Sequence, residues 1–160
     1  MTDVQPTDPA LQTDPFRLED SLGYLIARIK GRMSATLDEE LVGLDITHAQ
    51  WVVMMHIAGG STPTCADLAR FQGQDTGAMT RMLDRLEEKQ LIARERSTDD
   101  RRVVVIRLTP QGEALYPQLR VVGKRLIARM TEGFGPEEVE VFRGMLRRML
   151  SNLGSTEITS

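Results

Sequence analysis

The sequence predicts a mainly α-helical protein with one small β-hairpin, a winged helix-turn-helix joined to a helical dimerisation layer. Three observations predict it. The segment DTGAMTRMLDRLEEKQ, starting at Asp75, repeats Met79, Met82, Leu83 and Leu86 at three- and four-residue steps, so one helical face packs on a core. It runs directly into LIARERSTDDRRVVVIRLT, which reads as two strands joined by a polar turn carrying Asp99, Asp100, Arg101 and Arg102. Thr109 and Pro110 then form an N-cap and N1 pair that opens another helix. A helix suited to the major groove beside an arginine-tipped hairpin suited to the minor groove is an arrangement for reading DNA.

Each element has its own signal. Residues 1–15 contain three prolines, scattered acids and little periodicity, and read as a flexible acidic arm. From Pro15 a long helix is expected, with Leu18, Leu22, Leu25, Ile29, Met33, Leu37 and Leu41 in helical register up to Gly43. Thr47 and Gln50 have the form of a capping box ahead of Trp51, Val52, Met54, Met55 and Ile57, and Gly59–Gly60 stop that helix. Pro63 and Thr64 open a short helix with Asp67 at N3 of a second capping box and Leu68 as its apolar anchor. FQGQD is the turn to the recognition helix, with Asp75 as N-cap.

After the hairpin, Leu115, Leu119, Val122, Leu126 and Met130 mark a helix that Pro117 either bends or gives an irregular first turn. Beyond Gly133–Gly135, a last helix from Pro136 repeats Val139, Phe142, Leu146, Met149 and Leu153 in a heptad-like rhythm. The expected organisation is therefore 46–109 as the winged DNA-binding region, 16–45 and 110–153 as the helical dimerisation region, and 154–160 as a tail.

Composition narrows the function classes. The 160 residues carry a formal charge of −3, which by itself disfavours a polyanion as partner. Residues 1–20 account for −4 of it, five acids against Arg17, leaving +1 for the rest. A near-neutral body with a local arginine cluster binds DNA through shape and specific contacts more than through bulk charge. Cys65 is the only cysteine, so no intrachain disulfide forms and a reducing cytoplasm is the simple expectation. No apolar run reaches a membrane span and the acidic start is unlike a signal peptide. His48 and His56 lack the three or four converging ligands of a metal site, and no glycine-rich phosphate loop or catalytic triad is present, so neither cofactor nor enzymatic activity is expected.

Thr76, Thr80, Arg81 and Arg85 fall away from the apolar stripe and are the expected DNA contacts of the recognition helix. Near the helix start, backbone N–H groups favour phosphate, and Gly77 either permits close approach or is simply a tolerated small residue. Arg101 and Arg102 are the expected contacts of the wing. Cys65, in the first turn of its helix, has two readings: a thiol sensor or a plain half-buried cysteine.

With those residues in view, the chain resembles the MarR (multiple antibiotic resistance regulator) family of bacterial transcription factors over about residues 18–153. The resemblance is most specific in TRMLDRLEEKQLIARERSTDDRRVVVIRLTPQG, which ends in the Leu-Thr-x-x-Gly closure. It implies a symmetric dimer, triangular in outline, with interleaved terminal helices and two winged domains on a pseudo-palindrome. Asp100 and Arg102 then correspond to the wing's Asp-x-Arg element, the carboxylate supporting the wing and the arginine entering the minor groove. Two departures stand beside the match. Ser97 and Asp99 replace an earlier Asp and Arg of the wing, and Gln90 replaces the glycine common after the recognition helix.

The resemblance also implies an effector pocket, for which Tyr24, Arg28, Arg32, His48 and Trp51 are the candidate linings. Arginine beside aromatic surface suits a small aromatic carboxylate or phenol. The competing reading makes Trp51 core and the arginines dimer-surface charge. Two further functional readings remain open: redox sensing through Cys65, and a winged protein-interaction adaptor that no longer binds DNA.

Overall fold

The computed structural model describes residues 17–154 except Ser61 and Asp99. The expected acidic arm at 1–15, residues 155–160 of the tail, and Asp99 of the wing lie outside the described residues. The chain divides into two compact units, one ending at His48 and the other starting at Ala49.

In the first unit, Leu18–Asp20 form a 3₁₀ turn and helix α1 spans Leu22–Leu41. The continuous helix expected from Pro15 is therefore corrected. Ser21 takes an extended conformation, its hydroxyl accepting the Tyr24 N–H at 3.3 Å and donating to the Leu18 carbonyl at 2.8 Å. That cap starts α1 afresh. Leu22, Leu25, Ile26 and Ile29 form one exposed apolar stripe, whereas Leu37 and Leu41 are buried. A 3₁₀ turn, Val42–Leu44, follows, and Asp45 enters the left-handed region at φ 53°. Asp38 reaches from the end of α1 to accept the His48 backbone N–H at 2.8 Å.

The second unit holds the rest of α2 (His48–Ala58), then α3 (Cys65–Gln72), α4 (Thr76–Glu88), β1 (Ile92–Arg96), β2 (Val104–Leu108), α5 (Pro110–Met130) and α6 (Pro136–Asn152). The α3 start matches its sequence signal. Thr64 Oγ1 accepts the Asp67 N–H at 3.2 Å while Asp67 accepts the Thr64 N–H at 3.0 Å. This reciprocal pair holds the Asp67 carboxyl below its ordinary range, the Thr64 hydroxyl being the largest cause. Gly73, at φ 64°, ends α3 in the left-handed conformation that glycine enters freely. Asp75 caps α4 through the Ala78 N–H at 2.9 Å.

The apolar stripe of α4 is buried at Met79, Leu83 and Leu86, each with no exposed surface. Burying three such side chains contributes several kcal/mol in total. α4 ends at Glu88, earlier than DTGAMTRMLDRLEEKQ implied, because Gln90 turns the chain at φ 57°. The strands pair antiparallel, from Ile92 opposite Leu108 to Arg96 opposite Val104. Thr109 closes the hairpin: its N–H donates to the Leu91 carbonyl at 3.1 Å and its hydroxyl donates to the Gln90 carbonyl at 2.5 Å.

The Leu-Thr-x-x-Gly closure has a steric cause. A Cβ on Gly112 would stand 2.1 Å from the Leu91 carbonyl oxygen, so α5 approaches the hairpin only with glycine there. α5 runs through Pro117 as one helix and buries Leu119, Val122 and Leu126. Trp51 packs where a Cβ on Gly123 would come within 2.8 Å of its ring, and its indole N–H donates to the Leu119 carbonyl at 2.9 Å. α6 has no buried residue, and Val141, Phe142, Met145 and Leu150 are all exposed.

Candidate nucleic-acid interface

Two adjacent pieces of surface carry the expected DNA contacts. With Met79, Leu83 and Leu86 buried, helical geometry turns Thr76, Gly77, Thr80, Arg81 and Arg85 outward, and all five are exposed. At the head of α4, the Asp75 carboxyl is held below its ordinary range chiefly by the Ala78 N–H, with Gly77 and Arg81 adding to it. A Cβ on Gly77 would lie 3.1 Å from that carboxylate, so the glycine leaves room for the cap. The Thr80 hydroxyl donates to the Thr76 carbonyl at 2.8 Å. Cys65 Sγ is 3.5 Å from the Thr80 hydroxyl, which sets the thiol against the first turns of the recognition helix.

The wing is braced by its own backbone. Asp100 accepts the Arg102 N–H at 2.9 Å and lies 3.7 Å from Arg102 Nε, and the Val103 N–H donates to the Asp100 carbonyl at 2.9 Å. An Asx turn of this kind fixes the hairpin tip. Arg96 donates to the Arg101 carbonyl at 2.9 Å. The Arg102 side chain is 94% exposed, standing off the tip while its backbone is held.

Sequence reasoning missed the residue that joins these two surfaces. Arg94 of β1 donates to Asp84 of α4 at 2.7 Å and also pairs with Glu87, and its backbone N–H lies 3.4 Å from Glu87. A further contact, 3.4 Å, runs to the Thr80 carbonyl. Burial works against the Arg94 charge, but the Asp84 hydrogen bond and the Glu87 charge outweigh it and raise its pKa. The signal was present: alternation in IARER puts Arg94 on the strand face opposite Ala93 and Glu95, and the acids stand three apart on α4.

Of the expected effector residues, Tyr24, Arg28 and Arg32 line one open depression along α1 together with Ala27 and Gly31. Arg28 donates to the Tyr24 hydroxyl at 3.2 Å, its guanidinium carbon 5.7 Å from the ring centroid. His48 has its Nδ1 2.8 Å from Asp38, which lowers the Asp38 pKa, the backbone hydrogen bond from His48 being the largest cause. Trp51 belongs to the second unit, where its N–H is taken by Leu119. Among the described residues no group of three or more His, Cys, Asp or Glu is placed to hold a metal, and no helix is long and apolar enough to cross a membrane.

Comparison with known proteins decides the family. The model of the MarR family matches residues 46–104, from the start of α2 into the wing. The multiple antibiotic resistance protein MarR of Escherichia coli is 35% identical over 139 residues, which is 86% of this chain and 96% of that protein. The chain belongs to the MarR family. Its fold agrees with solved MarR structures, among them a cysteine-to-serine mutant of the E. coli protein complexed with operator DNA. That structure has a TM-score of 0.73 at 34% identity and covers 86% of this chain and 99% of the other. A MarR-family regulator from Silicibacter pomeroyi gives a TM-score of 0.77 at 30% identity, with 89% and 96% covered. This MarR-family chain is thus a transcriptional regulator whose DNA-binding element is the winged helix-turn-helix of α3, α4 and the β1–β2 hairpin.

Proposed function

We propose that the protein is a repressor that binds a pseudo-palindromic operator as a homodimer and is released by a small aromatic carboxylate or phenol. The observation that carries the DNA reading is the joint exposure of Thr76, Gly77, Thr80, Arg81 and Arg85 on α4 and of Arg101 and Arg102 at a wing tip braced by Asp100. α4 enters the major groove, and Arg102 enters the neighbouring minor groove. In a two-fold dimer the two recognition helices meet half-sites about 34–36 Å apart. The operator complex of the E. coli relative supports this reading.

Tyr24, Arg28 and Arg32 offer an aromatic ring and two guanidinium groups to the effector. The effector releases DNA only if it binds the free state more tightly than the DNA-bound state, because equal affinity shifts nothing. A regulator of this kind works in the cytoplasm.

The test is fluorescence anisotropy with DNA from upstream of the protein's own gene, with competitor DNA and a salt series, for the wild type and Arg102→Ala. Competitor-resistant binding that weakens by about 1–3 kcal/mol in the variant is expected. Binding equal to that on random DNA and indifferent to the substitution would favour the adaptor reading. The 3.5 Å approach of Cys65 to Thr80 supports a second reading, in which oxidation of the thiol displaces the recognition helix. Peroxide treatment that releases DNA from the wild type and from Cys65→Ser equally would rule that out.

A further inference from the structure

We propose that the second unit carries another small-molecule site, at the foot of the wing, built for a compact zwitterion with an apolar body. A cavity of about 370 Å³ lies between the end of α2, strand β2 and the first turns of α5. That volume falls in the range of sites that hold small ligands. Ile57, Ala58 and Leu108 give it apolar surface, and Arg107, Glu113 and Tyr116 supply its polar groups.

The charges at this site are balanced but unevenly satisfied. Arg107 spends its Nε on Glu95 at 3.2 Å, and the rest of the planar guanidinium keeps donors for an anion. The Glu113 carboxylate pairs with neither Arg107 nor any other side chain among the described residues. Arg120 stands over the Tyr116 ring at 5.8 Å, so the neighbourhood holds two guanidinium groups against Glu95 and Glu113. A simple anion entering the cavity meets Glu113, and a simple cation meets Arg107. An anion alone leaves Glu113 unpaired beside it, and a cation alone leaves the Arg107 donors not taken by Glu95 without an acceptor. A molecule bearing an ammonium and a carboxylate satisfies both.

The site shares no residue with the effector face on α1, so it goes beyond the proposed function. It also touches the wing directly. The carboxylate of the ligand takes the remaining donors of Arg107, whose pair with Glu95 bridges β1 and β2.

Isothermal titration of the full chain with L-phenylalanine, 3-phenylpropanoate and 2-phenylethylamine tests the proposal, the last two being the amino acid without its ammonium and without its carboxylate. Wild type, Glu113→Gln, Arg107→Gln and the control Arg129→Gln are compared, with thermal melts to verify folding. Saturable binding of L-phenylalanine, about 10-fold tighter than either half and unchanged in Arg129→Gln, is expected. Glu113→Gln should abolish the advantage over 3-phenylpropanoate, and Arg107→Gln the advantage over 2-phenylethylamine. No saturable binding, equal binding of the halves, or a preference that survives both substitutions in folded protein would overturn the proposal.

Discussion

Gln90 sits at φ 57°, where a Cβ crowds the backbone, at the point where the chain leaves α4 for the wing. The left-handed conformation costs a non-glycine residue about 1–2 kcal/mol, partly offset by the greater freedom that glycine loses on folding. Gln90→Gly should therefore raise stability by about 0.5–1 kcal/mol. Urea unfolding checks this, and a destabilised variant would show that the Gln90 side chain compensates for its strain. At Asp67 the argument turns on pH. The Thr64 hydroxyl and N–H lower its folded pKa below the ordinary 3.8, so this carboxylate adds stability above its unfolded pKa. That contribution is lost as pH falls through the lowered folded value. Asp67→Asn should melt below the wild type at pH 6, with the difference closing under acid conditions below about pH 4. A gap that stays constant from pH 7 to pH 3 would contradict the linkage.

At the scale of elements, the orientation of the wing relative to the recognition helix rests on Arg94. Its guanidinium is 28% exposed and binds two carboxylates of α4 from β1. Such a joint holds α4 and the wing in one relative position, which matters for the proposed mode of binding, in which both engage neighbouring grooves together. Arg94→Ala leaves Asp84 and Glu87 facing each other without their cation. The substitution should cost about 1–3 kcal/mol of stability and weaken operator binding more than binding to random DNA. Equal loss on both DNAs would mean that Arg94 acts only as charge. The helices themselves were legible in sequence because caps and apolar spacing are local: Thr64 with Asp67, Asp75 with Ala78, and Thr109 with Gly112 all lie three residues apart. The start of α1 was misplaced because apolar spacing continues across Ser21, while a hydroxyl cap outweighs that pattern.

At the scale of the whole molecule, Leu22, Leu25, Ile26 and Ile29 on α1 and Val141, Phe142, Met145 and Leu150 on α6 are apolar side chains that a single chain leaves exposed to water. A second copy of the chain is the proposed cover. Sedimentation should give twice the 17.9 kDa chain mass for the wild type and a shift toward monomer for Ile29→Glu combined with Phe142→Glu. A monomeric wild type at about 10 μM would refute the dimer. DNA binding by the variant should weaken sharply, since each half-site alone supplies only part of the affinity.

The residue order was enough to establish a winged helix-turn-helix, the capped starts of α3, α4 and α5 and the outward face of α4, since each depends on neighbours a few positions apart. Folding alone decided which charges meet. Arg94 finds Asp84, Gly112 must clear Leu91, and Trp51 donates to Leu119 across 68 positions. Periodicity shows which face of an element is buried, but the partner across the core is set by how the elements pack, and that packing depends on the whole chain at once.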